Sequence, residues 1–460
     1  MEGKIERLDL IGDLPSNWKI TRFGDVLDGG TRNGIYKAKE FHGSGAKVVN
    51  MGELFANPRL RDVPMKRVQL TKAELEKSSL NAGDLLFARR SLVAEGAGKC
   101  IVVSEIKEPT TFESSIIRAR PYSKTVDSLF LYYLFNSPYG AYVLLTIRRQ
   151  VAVSGITGAD LVELPIPLPP LAEQKAIASI LGALDDKIEL NRRMNATLEG
   201  MARALFQSWF VDFDPVRAKL DGRKPEGMDK ATAALFPDAF EESSIGHIPK
   251  GWKIDTLGSI LDVLETGRRP KGGVGSYTSG VPSVGAESIN GIGVFDYSKT
   301  KYIPHEFFEK TSSGRVVHFD VLLYKDGGKP GEFRPRVGLF GHDFPFKTFC
   351  INEHVFRMRS VKTGQSFLFF TTSHQRVLDD FANKGGKAAI PGINQPDVKS
   401  TLIVLPPKEI IDMFNARADL LCDQILQNAI QSRTLANLRD TLLPKLLSGE
   451  LSVASTKVKA

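Results

Sequence analysis

A forty-residue helical pattern occurs twice in this chain, and nothing else in the sequence constrains the fold as much. After Leu168-Pro169-Pro170 the chain runs LAEQKAIASILGALDDKIELNRRMNATLEGMARALFQSWF. Ile177, Leu181, Leu184, Ile188, Asn191, Asn195, Leu198, Ala202, Leu205 and Trp209 follow one another at alternating spacings of four and three. That is a heptad seam. About 237 residues further on the seam recurs as Phe414, Ala418, Leu421, Ile425, Asn428, Ser432, Leu435, Arg439, Leu442 and Leu446, with Arg439 its least apolar member. Pro170 and Pro407 stand where helices start, and Pro215 and Gly449 follow where they stop. Both seams turn polar in the middle, at Asn191 and Asn195 and at Asn428 and Ser432. A polar core position costs stability and fixes register. The spacing leaves two readings: each helix packs on its own domain with a wet middle, or the two helices pair with each other. Antiparallel pairing would set Asn191 against Asn428. Each helix would be ~60 Å long at ~1.5 Å per residue, a ruler with a head at each end.

The segments before the helices repeat too. Pro15-Ser-Asn-Trp18-Lys19-Ile20 returns as Pro249-Lys-Gly-Trp252-Lys253-Ile254, using two of the three tryptophans. Gly83-Asp84-Leu85-Leu86-Phe87 returns as Phe319-Asp320-Val321-Leu322-Leu323. Ile116-Ile117-Arg118-Ala119-Arg120 returns as Val355-Phe356-Arg357-Met358-Arg359, and Gly155-Ile156 as Gly392-Ile393. Matches in the same order at nearly one offset mark a tandem duplication. Short β-type runs between glycine-rich turns, such as Lys99–Val103 and Ser115–Ala119, make the heads mixed α/β. The fold class expected is therefore α/β (α+β): two such domains, each followed by a long α-helix, the helices pairing as an antiparallel coiled coil with pseudo-two-fold symmetry. The boundaries read as 1-155 and 246-392 for the heads, 156-212 and 393-460 for the helical regions, and 213-245 for a polar connector.

A chain of 460 residues exceeds one core, and 42% apolar with 25% charged residues is ordinary for a globular protein. Its 61 Lys+Arg against 53 Asp+Glu give a net charge of +8, compatible with a nucleic-acid partner. Cys100, Cys350 and Cys422 lie far apart, which excludes a CxxC metal site and a disulfide framework, and a reducing cytoplasm is expected. No run approaches the ~18–20 apolar residues of a membrane span, so no membrane is expected among the partners.

The sequence carries no recognisable catalytic motif. Val93 to Cys100 lacks the first glycine and the Mg²⁺-binding hydroxyl of a P-loop. The Pro-Pro pairs lack the Asn/Asp and the aromatic residue of an adenine methyltransferase motif, and Pro225–Lys230 is only a faint carboxylate cluster in the connector. Catalytic residues and metal ligands are accordingly assigned to none.

The segment LPPLAEQKAIASILGALDDKIELNRRMNATLEGMARALFQSWFVDFDP strongly resembles the central conserved region of the specificity (S) subunit of type I restriction-modification systems. The Pro-x-x-Trp openings and the closing LRDTLLPKLLSGEL resemble the same family. The resemblance implies a non-catalytic subunit with two target recognition domains. Each reads one half-site of a bipartite, asymmetric double-stranded DNA target, and the helices set the gap. Two modification (methyltransferase) subunits dock on the helices, and restriction/translocase subunits join them. No cofactor belongs to this chain; S-adenosylmethionine, ATP and Mg²⁺ belong to those partners. Leu171-Ala172-Glu173-Gln174 is replaced by Lys408-Glu409-Ile410-Ile411 in the second helix, which leaves the equivalence of the two docking surfaces open. The alternative is a non-enzymatic DNA-binding or scaffold protein outside a restriction system.

Phosphate contacts come from Lys and Arg, and specificity comes from side chains at base edges. Candidates are basic residues in loops of the same class in both heads. In the first head they are Arg32 and Lys37, Arg89 and Arg90, and Arg148 and Arg149. In the second they are Arg268, Arg269 and Lys271, Lys325 and Lys329, and Lys384 and Lys387. Asn33, Gln150 and Asn394 are minor candidates for reading adenine. The seam members expected to form the helix-pair core are Ile177, Leu181, Leu184, Ile188, Asn191, Leu198, Leu205, Leu421, Ile425, Asn428, Leu435 and Leu442.

Overall fold

The computed structural model describes residues 14–91, 96–149, 154–328, 331–386 and 391–453. The chain forms two compact units, 1–187 with 435–460 and 188–434. Both long helices cross from one unit to the other, so each unit holds one head and a stretch of both helices.

In the first unit the strand Lys19–Arg22 pairs antiparallel with Pro165–Leu168, Lys19 opposite Leu168. The Pro-x-x-Trp opening is thereby tied to the strand that feeds the long helix. Trp18 is buried, and its amide donates to the Pro15 carbonyl at 2.9 Å. Behind this pair lies a five-stranded sheet in the order Leu27–Asn33, Ile116–Pro121, Leu85–Ala88, Cys100–Val103, Arg59–Leu60, in which only the last pair is parallel. Residues Leu85–Ala88 are all buried, because the sheet is covered on both faces. Leu85, Phe87, Ile117 and Ala119 face one way, against Phe130, Leu131 and Phe135 of the helix Ser128–Phe135. Leu86, Ala88 and Ile116 face the other way, against Val49, Leu54 and Phe112. The period of two along each strand makes this division. Phe23, Phe87 and Phe135 meet edge to face, with centroids 4.8–6.0 Å apart. A three-stranded sheet of Lys66–Val68, His42–Val49 and Thr110–Phe112 lies beside it.

The second unit repeats the five-stranded and three-stranded sheets in the same strand order. Its five-stranded sheet runs Val263–Thr266, Val355–Arg359, Asp320–Tyr324, Val337–Phe340, Gly291–Ile292, again parallel only at the last pair. Lys253–Thr256 pairs with Leu402–Leu405 as the opening strand does in the first unit.

The long helices span Leu171–Phe210 and Lys408–Leu447. In each unit the N-terminal part of one runs antiparallel to the C-terminal part of the other. In the first unit Ile177, Leu181, Leu446 and Leu447 are buried in the head's own core, and Leu442 packs against it. The misfit Arg439 donates to Asp185 at 2.7 Å. In the second unit Ala202, Trp209, Phe414, Ala418 and Ile425 are buried, and Leu198, Leu205 and Leu421 pack against the same core. Leu184, Ile188 and Leu435 are half-buried.

Asn191 and Asn428 do meet, inside the second unit. Asn191 Nδ2 lies 3.3 Å from the Asn428 carbonyl and 3.2 Å from Ser432 Oγ. Asn428 Nδ2 donates to Asn195 Oδ1 at 2.8 Å. The second contact is the first with the two copies exchanged, since Ser432 stands where Asn195 does.

The connector is more structured than its polar composition suggests. It carries the helices Asp214–Leu220 and Lys230–Leu235 and the hairpin Phe240–Ser243 with Gly246–Pro249. Phe213, Val216 and Phe236 enter the second unit's core, where Trp252 lies 5.6 Å from Phe213.

Candidate nucleic-acid interface

In the first head two basic stretches meet Gly155-Ile156 at one backbone junction. The strand Leu85–Ala88 runs on into Arg89, whose carbonyl accepts from Ile156 N at 3.0 Å. Arg90 stands opposite Gly155 in a short antiparallel ladder. Gly155 in turn exchanges backbone hydrogen bonds of 2.9 and 3.2 Å with Arg149. A Cβ on Gly155 would lie 3.1 Å from the Arg89 carbonyl, so the close approach favours glycine. The second head builds the same junction from the matched residues. Ile393 N donates to the Lys325 carbonyl at 2.8 Å, and Gly392 bridges to Asp326. The repeated Gly-Ile pair is thus the clasp that holds the strand exit beside the last turn of the head.

The side chains of the candidate basic residues fall into distinct groups. Arg32, Arg90, Arg268 and Lys271 are exposed, and none forms an ion pair among the described residues. Arg89 and Arg148 are half-buried and donate to the Ser114 and Ala97 carbonyls at 3.3 and 2.9 Å. Others already hold carboxylates. Lys37 pairs with Glu74 at 2.7 Å. Hydrogen bonds from Lys37 and from Thr71 hold the Glu74 carboxyl at a pKa of about 2. Arg149 pairs with Asp160 at 2.8 Å. Lys384 is bound by Asp380, the Asp397 carbonyl and Thr401 Oγ1 at 2.6, 3.0 and 2.9 Å. Arg269 reaches Glu353 at 2.9 Å and Lys325 reaches Asp326 at 2.7 Å. His354 lies between those two carboxylates, so the five side chains form one charged string. Burial opposes ionisation of Asp326, but the bonds from Lys325 and His354 prevail and lower its pKa. Lys329, Lys387 and Gln150 fall outside the described residues.

The glycine-rich stretch around Arg32 is not a loop. Leu27–Asn33 is an edge strand paired with Ile116–Pro121. Gly29 and Gly30, at φ +73° and +70°, sit where the register shifts by a bulge. Two adjacent glycines read as a turn; here they let a strand kink and continue. Asn33 ends that strand, exposed. Asn394 caps the helix Gln395–Lys399, its side-chain oxygen accepting from Asp397 N at 2.9 Å.

Sequence reasoning also missed the carboxylates at the opposite end of these two strands. Asp84, 1% exposed, takes two hydrogen bonds from Arg120 at 2.7 and 2.8 Å. Asp320, 0% exposed, holds both Arg357 and Arg359, at 2.5 and 2.6 Å. The signal was present as the repeated Arg-x-Arg and the repeated Asp before each apolar strand. Their pairing emerges only when the strands lie side by side.

Residues 15–200 match the family model described as Type I restriction modification DNA specificity domain. The chain is 26% identical over 458 residues to the type I restriction enzyme MjaIX specificity subunit of Methanocaldococcus jannaschii, covering 96% of this chain and 95% of that protein. It is 25% identical over 494 residues to the HindI specificity subunit of Haemophilus influenzae, covering 95% of this chain and 100% of the relative. The crystal structure of a type I restriction-modification S subunit from M. genitalium shares the fold, with a TM-score of 0.57 at 13% identity over 95% of this chain and 98% of that one. Over nearly its whole length, then, the chain is similar to specificity subunits of type I restriction-modification systems, and its residues 15–200 carry the DNA specificity domain of that family.

Proposed function

We propose that this chain selects a bipartite, asymmetric DNA target, each head reading one half-site, and that the paired helices fix the distance between the half-sites. The observation that carries this reading is the duplicated clasp. Both heads present basic residues on one backbone framework, Arg89 and Arg90 in the first and Lys325 in the second. The side chains on that framework differ: Arg149 and Asp160 form a simple pair, whereas the second head carries the string from Arg269 to Lys325. Two frameworks alike in backbone and unlike in side chain suit two different half-sites. Two modification subunits dock on the helices and supply S-adenosylmethionine chemistry on adenine; restriction subunits, where present, supply ATP-driven cleavage. The chain itself supplies recognition and spacing.

Long-read mapping of methylated adenine in cells with and without this chain tests the proposal. The expected result is one interrupted motif, with different words on its two sides, that disappears when the chain is removed. A continuous or palindromic motif, or a methylation pattern indifferent to the chain, would refute it.

A further inference from the structure

Matched strands in the two heads carry opposite charges at one position. In the second head Glu265 lies directly across the strand pair from Arg357 and accepts from its Nη1 at 2.7 Å. Arg357 Nε is bound by Asp320 at 2.5 Å, so that guanidinium is neutralised from two sides. In the first head the matched arginine is Arg118, and the residue across from it is Arg32. Like charges directly opposite on neighbouring strands repel. Asp84, the counterpart of Asp320, is occupied by Arg120 instead. Arg118 is 6% exposed, and its Nη1 donates to the Ser79 carbonyl at 2.6 Å. Its Nε is buried and has no hydrogen-bond partner. Burial, with Arg120 and Arg32 close by, lowers the pKa of this guanidinium, and Asp84 only partly offsets that. Leaving a buried charged donor unbonded costs more than leaving a neutral one.

We propose that Arg32 and Arg118 form a seat for a phosphate-like oxyanion on the first head, and that a DNA backbone phosphate occupies it in the bound complex. The fold places a carboxylate at this point in one copy and a second guanidinium in the other. In the first head, therefore, the neutralising group comes from outside the chain. Guanidinium forks match a tetrahedral oxyanion in geometry as well as charge. Arg32, exposed, forms the open side of the seat, and Arg118, held by Ser79, forms its fixed base. The second head makes no such contact at the equivalent place, so the heads differ in how much they depend on salt. The DNA half of this inference rests on the proposed function; the oxyanion half does not.

The test uses the full chain. Thermal melts are recorded in inorganic phosphate and in chloride at equal ionic strength, for the unaltered chain, Arg32→Gln, Arg32→Glu and Glu265→Arg. The unaltered chain should gain a saturable stabilisation from phosphate. Arg32→Glu copies the second head's carboxylate, so it should melt higher in chloride and lose the phosphate response. Glu265→Arg should melt lower in chloride and acquire a phosphate response. Absence of a saturable response in the unaltered chain overturns the seat. In the second arm, duplex binding is titrated against salt. Arg32→Gln should lower the log–log slope by about one, the loss of one phosphate contact, uniformly across sequences. A phosphate response with an unchanged slope overturns occupation by DNA and leaves a seat for free phosphate only. A chain that binds no duplex refutes the proposed function instead, and the melts then judge the seat alone.

Discussion

Asp84 and Asp320 show how much a single buried carboxylate organises in each head. Each accepts from a backbone amide of the turn before its strand, Asn81 N at 2.8 Å and Val317 N at 2.7 Å. Each then anchors the arginines of the neighbouring strand. Asp320 holds two guanidiniums and Asp84 one. Removing one partner from a buried, hydrogen-bonded ion cluster costs about 3–5 kcal/mol. Asp320→Asn should therefore cost about that much, and Asp84→Asn less, because fewer charges lose their partner. Denaturant unfolding followed by hydrogen exchange in each head measures both; equal losses would show that the second guanidinium contributes nothing. The sequence contains both aspartates and all four arginines as matched marks, yet read in one dimension they signify duplication rather than pairing. Arg32 shows the same limit. Its charge was legible, but its place opposite Arg118 depends on a bulge at Gly29-Gly30 that looks like a turn until the partner strand is known.

Among the elements, the long helices were the most legible, because a seam sustained over ten positions leaves few alternatives. The structure settles the choice between helices packed only on their own heads and helices paired with each other: they do both. Arg439, the worst seam member, is explained by Asp185, a residue one place off the seam that also accepts from Tyr133 Oη at 2.6 Å. The equivalent layer in the second unit is Ala202 with Cys422, both fully buried. One layer is thus ionic in one unit and apolar in the other. The polar middle behaves differently, being shared by both copies. Asn191→Leu together with Asn428→Leu should raise the melting temperature, since a polar layer gives up hydrophobic stability. The gain should come with a loss of register. Spin labels on exposed Met201 and Leu420 would report it as a broadened distance distribution. A distribution as narrow as that of the unaltered chain would mean that the flanking apolar layers suffice to set register.

Across the whole molecule, the chain is not divided as its sequence is. The repeat suggests two halves joined by the connector 213-245, whereas the compact units exchange at residues 187 and 434. Sequence could place the heads and the helices; it could not show that the end of the second helix belongs to the first head. Leu446 and Leu447 are buried in that head's core, where each contributes roughly 1.5–3 kcal/mol. A chain ended after Thr434 should consequently lose amide protection through the first head, while residues 246–430 keep theirs. Hydrogen exchange on the shortened chain distinguishes this outcome from an even loss in both heads, which would contradict the division.

That exchange of helix ends has a consequence for synthesis. The first head leaves the ribosome early, but the turns that close its core emerge almost 250 residues later. At 5–20 residues per second the wait is roughly ten to fifty seconds. During that interval Ile177 and Leu181 lack the leucines that cover them. The second unit, drawn from one uninterrupted stretch, has no comparable wait. A nascent chain stalled with residue 434 just clear of the ribosome should therefore present a finished second unit and a protease-sensitive first one, reversing the order in which the two were translated.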